Sequence, residues 1–555
     1  MLHYTFDEGL PTDPDLRQVA SEIIPKVLEY YPFWATGIGI HVWDDRMPPT
    51  DPVEREQFVL ALESALQQID NIPTHGLSQD DLADYLVLKG QLRAMWLDET
   101  RDHPEAHDPN LWNSMISASL LPLARQDYAP LEVRAAYAAA RMRQVPRLLQ
   151  TARTLLDNPP ALFVEVAISQ FESTIPLLTD MIPAAFDAVD DDVVRSDVQA
   201  AGLVAGEAYE AFVTFLKDEL LPRAHGDFRL GADRYAEKLS LTELVTSPLT
   251  DLLQRGYDEL HRLQAAFSAT AHVIGPDLSV HQVLARVGRD HPPAEQLLSY
   301  VSGVLGELER FCRDRNLVPI PASNPPQVVE TPAFMRMTTF ASIDPPGPFA
   351  EKSTDAYYQV TLPDDTWSSK DIESHLRGYN RWATRIISAH EVFPGHFVQF
   401  LHFPRSHSTI RKVFWSNAFV EGWAHYIEEV MVEEGYGASE PEMRFMQLME
   451  ALERVGRFIV GIRLHTEGMS VDQAQDFFEK ECFMESVNAR REALRGTMDP
   501  FYLIYTLGKL EIMRLREIAR ERDGVRFQLG SFHESLLSHG APPLPVLEQL
   551  IFNAP

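Results

Sequence analysis

The sequence predicts a mainly α protein, a large multi-helix body carrying a small β-element. Three observations lead there. Apolar residues recur at three- and four-residue intervals through much of the first 315 residues. A proline-dense segment then interrupts the pattern. Helical periodicity resumes from Ser369 to the end.

Composition bounds the rest. Lys and Arg number 49 against 81 Asp and Glu in 555 residues, a net charge of −32. That balance argues against a nucleic acid or anionic membrane partner, since phosphate recognition needs clustered cations. Hydrophobic residues make up 45% of the chain, enough for a sizeable core, which excludes wholesale disorder. Two cysteines, Cys312 and Cys482, cannot build a disulfide framework or a thiolate zinc cluster. The opening MLHYTFDEGLPTDPD lacks a basic start followed by an apolar stretch. No apolar run reaches the ~18 residues that a spanning helix requires. The expectation is a cytoplasmic chain with no membrane partner.

Taken in order, residues 1–315 form an N-terminal helical region. The stretch 131–156 places arginines between periodic apolar residues, and 194–224 repeats the pattern. The acidic cluster 187–194 precedes the second stretch, where carboxylates favour a helix start. Between Asn316 and Ala350 stand eight prolines. Residues 316–368 therefore read as a Pro-rich crossover and edge strand, the strand lying at DAYYQVTLP (355–363) with an unpaired edge. Residues 369–555 form a C-terminal helical region.

The chemistry concentrates in SAHEVFPGHFVQF (388–400). His390 and Glu391 end a helix, and His396 follows six residues after the first His. On a regular helix six residues rotate the second His about 120° away, so the usual H-E-x-x-H geometry fails. Pro394 and Gly395 lie between, and a local bulge there could return His396 to the face of His390. A third ligand is needed, and FVEGWAHYIEEVMVEEG (419–435) offers Glu421, His425 and Glu428 along one helix face. Glu421, 25 residues beyond His396, suits a neighbouring antiparallel helix closing the site. Taken singly, these histidines and glutamates read as ordinary core or solvated residues; their combination points to metal.

These segments resemble the bacterial family known as domain of unknown function 885. The family's HExxPGH appears as His390-Glu391-x-x-Pro394-Gly395-His396, and its EGWA-x-Y-x-E helix as Glu421 to Glu428. Segments 33–46, 141–160, 219–239 and 531–550 also match. The resemblance implies a gluzincin-type zinc metallopeptidase, akin in plan to carboxypeptidase Taq and angiotensin-converting enzyme. It implies two helical lobes around a deep cleft, the β-element near the active site, and one Zn2+ held by His390, His396 and Glu421. Later matches include Leu464-His465, Arg495 five residues before Pro500, and Tyr505 three before Gly508; Tyr502 rivals Tyr505, because the intervening loop is one residue shorter.

The expected roles follow. Glu391 acts as general base, and Tyr505, with His465 second, donates to the oxyanion. His425 and Glu428 orient ligands. Tyr358 on the strand, and Arg463 or Arg495, contact the substrate, a small peptide. The alternatives are a metal-dependent amide or ester hydrolase of non-peptide substrates, and a non-catalytic helical binding scaffold.

Overall fold

Helices begin where capping chemistry places them. The computed structural model describes residues 6, 8–332, 335–336, 339–350, 355–364 and 366–552. The reading of the opening segment falls partly on residues 1–5 and 7, outside the described residues, as do 333, 334, 337, 338, 351–354 and 365 of the Pro-rich crossover.

Helix α1 (Leu131–Leu155) runs straight through Pro146. Helix α2 (Ala161–Pro176) continues by a wide turn to Ala184. Helix α3 (Asp192–Phe215) starts from the acidic cluster, where the Asp191 carboxylate accepts the Val193 and Val194 N–H groups. These helices share a core built around Ala138, Met142, Phe171 and Phe212. Ala161–Ala184 is long and apolar enough to cross a membrane by length and composition. The expectation that no apolar stretch reaches this length is corrected here, although Glu165, Glu172 and Asp180 keep the run from being uninterrupted. In the fold, Phe163, Val164, Ala167, Phe171, Leu177 and Leu178 of this stretch are buried.

Helices on the two sides of the Pro-rich segment are not separate in their packing. Gly256 on α4 (Leu249–Ile274) lies so close to a later helix that a Cβ there would meet Phe458 at 2.6 Å and Ile459 at 3.0 Å. Their apolar faces merge into one core. Helix α5 (Leu297–Asp314) likewise packs into a core completed by residues beyond 356.

The β-element is a three-stranded sheet of β1 (Gln327–Glu330), β2 (Ala341–Asp344) and β3 (Tyr357–Val360), in the order β1-β3-β2. β3 pairs parallel with β1 and antiparallel with β2, Ile343 standing opposite Tyr358. The expectation of an unpaired edge on the 355–363 strand is therefore corrected: β3 is the central strand, and β2 is an edge. The two partner strands escape a sequence reading because each stands next to a Pro-Pro pair, 325–326 and 345–346, that signals a break.

Beyond the sheet come α6 (Arg381–Glu391), α7 (His396–His402), α8 (Asn417–Glu433), α9 (Pro441–Thr466), α10 (Ser486–Met498) and α11 (Ile504–Asp523). Helix α8 is buried on nearly every side from Ala418 to Met431; Glu421 is the exception. It crosses α11 at backbone contact. A Cβ on Gly508 would meet the Ala418 carbonyl oxygen at 1.8 Å, and one on Gly422 would meet Gly508 Cα at 2.5 Å. Only paired glycines permit this approach, and it sets Glu421 beside the first turn of α11, where Tyr505 sits. Gly508→Ala is expected to destabilise the protein by about 3 kcal/mol or more, because two backbones must separate. Thermal unfolding of the variant checks this.

Candidate metal centre

Helix α6 carries His390 and Glu391 on its last turn. It starts from Asn380, whose side chain accepts the Trp382 and Ala383 N–H groups. The helix then stops: residues 392–395 form a turn with a cis Phe393–Pro394 peptide, and α7 starts afresh at His396. The expected bulge is thus a full break between two helices. A Cβ at Gly395 would lie 1.7 Å from the His390 carbonyl oxygen, so the turn folds back on α6 only with glycine there. The buried Trp423 indole N–H donates to the carbonyls of Pro394 (3.1 Å) and Gly395 (3.3 Å), tying the turn to α8. The tryptophan of the EGW segment thereby positions the second histidine.

The outcome is a convergence of His390, His396 and Glu421, whose nearest donor atoms all lie within 4.8 Å of one another. Glu421 Oε2 is 3.6 Å from His390 Nε2 and 3.3 Å from His396 Nε2. Four ligands placed tetrahedrally at about 2.0–2.2 Å from zinc stand about 3.3–3.6 Å apart. Glu421 Oε2 is buried and has no hydrogen-bond partner, as is His396 Nδ1. The Glu421 side chain keeps 25% exposure against 5% and 8% for the two histidines, so access comes past the carboxylate.

Surrounding charges favour a cation here. The Glu428 carboxylate accepts from His390 Nδ1 (2.6 Å) and His425 Nδ1 (3.1 Å), with the Arg454 guanidinium 3.4 Å away. With Nδ1 engaged by Glu428, Nε2 is the nitrogen that faces Glu421, and loss of its proton would give the lone pair a metal needs. Burial alone depresses His390, yet the Glu421 and Glu428 contacts prevail and lift it to about 9. Glu421 and Glu428 are held well below the usual carboxylate range despite burial: Glu421 by His396 and His390, Glu428 by Arg454 and the two histidines. His425, buried beside Lys509, falls to about 3 and is neutral. The donor set, two imidazole nitrogens and a carboxylate oxygen with an outer carboxylate behind, suits zinc.

Glu391 follows the first histidine and is half-buried. Its Oε2 accepts the Ile343 N–H from β2 (3.1 Å). Burial raises the carboxyl, the two imidazoles oppose, and Glu421 adds to the rise.

Other expected residues divide. Tyr505 accepts a hydrogen bond from Arg495 Nη2 (3.0 Å) and stands three residues before Gly508, where α11 meets α8 next to Glu421; burial first, then the Glu421 charge, raises its hydroxyl. Tyr502, its rival, is buried between Gly461 and Gly496. His465 corrects to a structural residue: its Nε2 meets the Gly496 carbonyl at 2.8 Å and its ring lies edge-on to Phe228. Arg463 is corrected likewise, since it binds Glu467 (3.2 Å) and the Tyr257 hydroxyl (3.1 Å). Tyr358 is buried beneath the sheet, its hydroxyl 3.2 Å from Ser388 Oγ, and supports α6 instead of facing a substrate. The sequence reading missed the Ile343 N–H, which carries no residue-type signal, and Arg454, an arginine on a helix rich in charged residues.

A mainly helical protein with a His-His-Glu centre is the class that this fold and site define. The chain belongs to the family described as bacterial protein of unknown function, DUF885, whose model matches residues 32–551. Among solved structures it is similar to a candidate lipoprotein of unknown function from Shewanella oneidensis, with 26% identity and a TM-score of 0.78, covering 96% of this chain and 98% of that one. It also shares the fold of a candidate lipoprotein from Colwellia psychrerythraea, at 19% identity and a TM-score of 0.82 over 97% and 98% of the two chains. No curated protein matches the chain. The description of both solved relatives as lipoproteins overturns the cytoplasmic expectation, which rested on the opening residues.

Proposed function

We propose that the chain is a zinc-dependent hydrolase that cleaves peptide bonds of short peptides. The convergence of His390 Nε2, His396 Nε2 and Glu421 Oε2, with Glu391 beside it, carries this reading. His390, His396 and Glu421 would hold the metal. A zinc ion so bound supplies Lewis acidity and lowers the pKa of a water ligand to about 7.

The chain's own residues then have defined tasks. Glu391 accepts the proton of the attacking water and returns it to the leaving amine. The Tyr505 O–H donates to the oxygen on which negative charge develops. β2, as an edge strand beside Glu391, replaces β3 as the strand to which an extended peptide adds. In this reading the exposed edge of Glu421 opens on a cleft between helical lobes, a gluzincin-like plan, and the protein works outside the cytoplasm, as the lipoprotein relatives imply.

The test is digestion of a defined peptide library by zinc-loaded protein, with products identified by mass. Peptide-bond cleavage abolished by a chelator and restored by zinc supports the proposal. Cleavage of only non-peptide amides or esters would favour the second hydrolase reading, and no cleavage of either would favour a binding scaffold.

A further inference from the structure

Three side chains, Tyr505, Arg495 and Arg457, meet beside the crossing of α8 and α11. Tyr505 stands on the first turn of α11, held against α8 by the glycine crossing. Arg495, on the last turn of α10, donates from Nη2 to the Tyr505 oxygen at 3.0 Å and to Asp499 Oδ2 at 3.3 Å. The Arg495 guanidinium carbon lies 5.8 Å from the Tyr505 ring centroid, and that of Arg457 lies 5.1 Å from it. Arg457 is itself committed to Glu453 and Glu492 at 2.6 Å each.

A phenol oxygen that accepts from a guanidinium has its own proton left to give. Arg495 has no acceptor atom, so the Tyr505 O–H cannot donate back to it and is directed elsewhere. The arginine is fixed in its turn by Asp499, four residues on. A cation on the phenol oxygen also makes that hydroxyl a stronger donor.

We propose that Arg495 is a positioning residue: it orients the Tyr505 hydroxyl as the donor to the developing oxyanion and does not bind a substrate carboxylate. The proposal rests on the hydrolase reading above and deepens it. It separates two roles that a sequence leaves joined, because an arginine near a peptidase site is equally suited to hold a terminal carboxylate. The contacts in the structure place the guanidinium on the tyrosine and on Asp499.

The test is a double-mutant cycle on the zinc-loaded protein, using a peptide that the parent cleaves. Tyr505→Phe is expected to lower kcat about 10²–10³-fold, the loss typical of one oxyanion donor, with KM within about threefold. Arg495→Ala is expected to lower kcat about 10–100-fold, again with little change in KM, and Arg495→Lys to recover part of the loss. Combined with Tyr505→Phe, Arg495→Ala should cost almost nothing more, since the hydroxyl it orients is gone. Zinc content and melting temperature are followed in every variant, and Arg495→Lys keeps the test available if the alanine variant fails to fold. Independent losses that multiply in the double variant overturn the proposal. So does an effect of Arg495→Ala confined to KM and abolished by amidating the peptide's C-terminus, which would make it a carboxylate anchor. Absence of hydrolysis by the loaded parent overturns the hydrolase reading and this proposal with it, whereas multiplying losses in an active parent overturn this proposal alone.

Discussion

Glu391→Gln is expected to lower kcat by about 10²–10⁴-fold, the range for loss of a positioned general base, while zinc binds as before. The substitution is a clean one. Glutamine has the same shape, and its Oε1 can still accept the Ile343 N–H that holds the parent side chain at 3.1 Å. It removes a carboxylate whose burial costs stability, so the folded state should not weaken. What it lacks is the ability to take a proton. Parallel measurement of kcat, bound zinc and melting temperature checks each part. An unchanged rate would mean that another group accepts the proton.

The second large effect concerns the metal itself. His390→Ala, His396→Ala and Glu421→Ala each remove one of three converging donors, and each is expected to lower zinc affinity more than loss of an outer partner does. Glu428→Gln is that outer comparison. It disturbs the contacts to His390 Nδ1 and His425 Nδ1, and should reduce affinity by about 10–100-fold. His465→Gln and Arg463→Ala serve as controls, since their side chains are engaged by Gly496 and by Tyr257 and Glu467. Competition with a chelating dye ranks the set: ligand variants weakest, Glu428→Gln intermediate, controls equal to the parent. A scaffold in which the histidines and glutamates merely satisfy each other would give no such order.

Much of the centre was legible in the sequence because each part leaves a residue-type signal. Two histidines around a Pro-Gly break, and a glutamate on a helix otherwise apolar, are visible without coordinates. So is the acidic start of α3, because Asp191 caps by a local contact that needs no tertiary partner. The sheet was half-legible. Tyr357–Val360 reads as a strand, but its partners lie beside Pro-Pro pairs that read as breaks, so its place in the middle could not be inferred. The edge expected on β3 therefore moved to β2. The errors at His465, Arg463 and Tyr358 share one cause. Each residue type is equally at home in a core contact and in a site, and only the partner decides: Gly496 for His465, Tyr257 for Arg463, Ser388 for Tyr358. The glycines of the α8–α11 crossing show the converse. A sequence marks Gly422 and Gly508, while the close backbone approach that leaves no room for a Cβ at either is a property of two distant segments meeting.

The central claim is that three side chains from α6, α7 and α8 share one metal ion. Anomalous X-ray scattering from crystals of zinc-loaded protein, recorded on both sides of the zinc absorption edge, tests it most directly. The account predicts one peak per chain, about 2.0–2.2 Å from His390 Nε2, His396 Nε2 and a Glu421 carboxylate oxygen. A peak elsewhere, or no peak between these three residues, would contradict it.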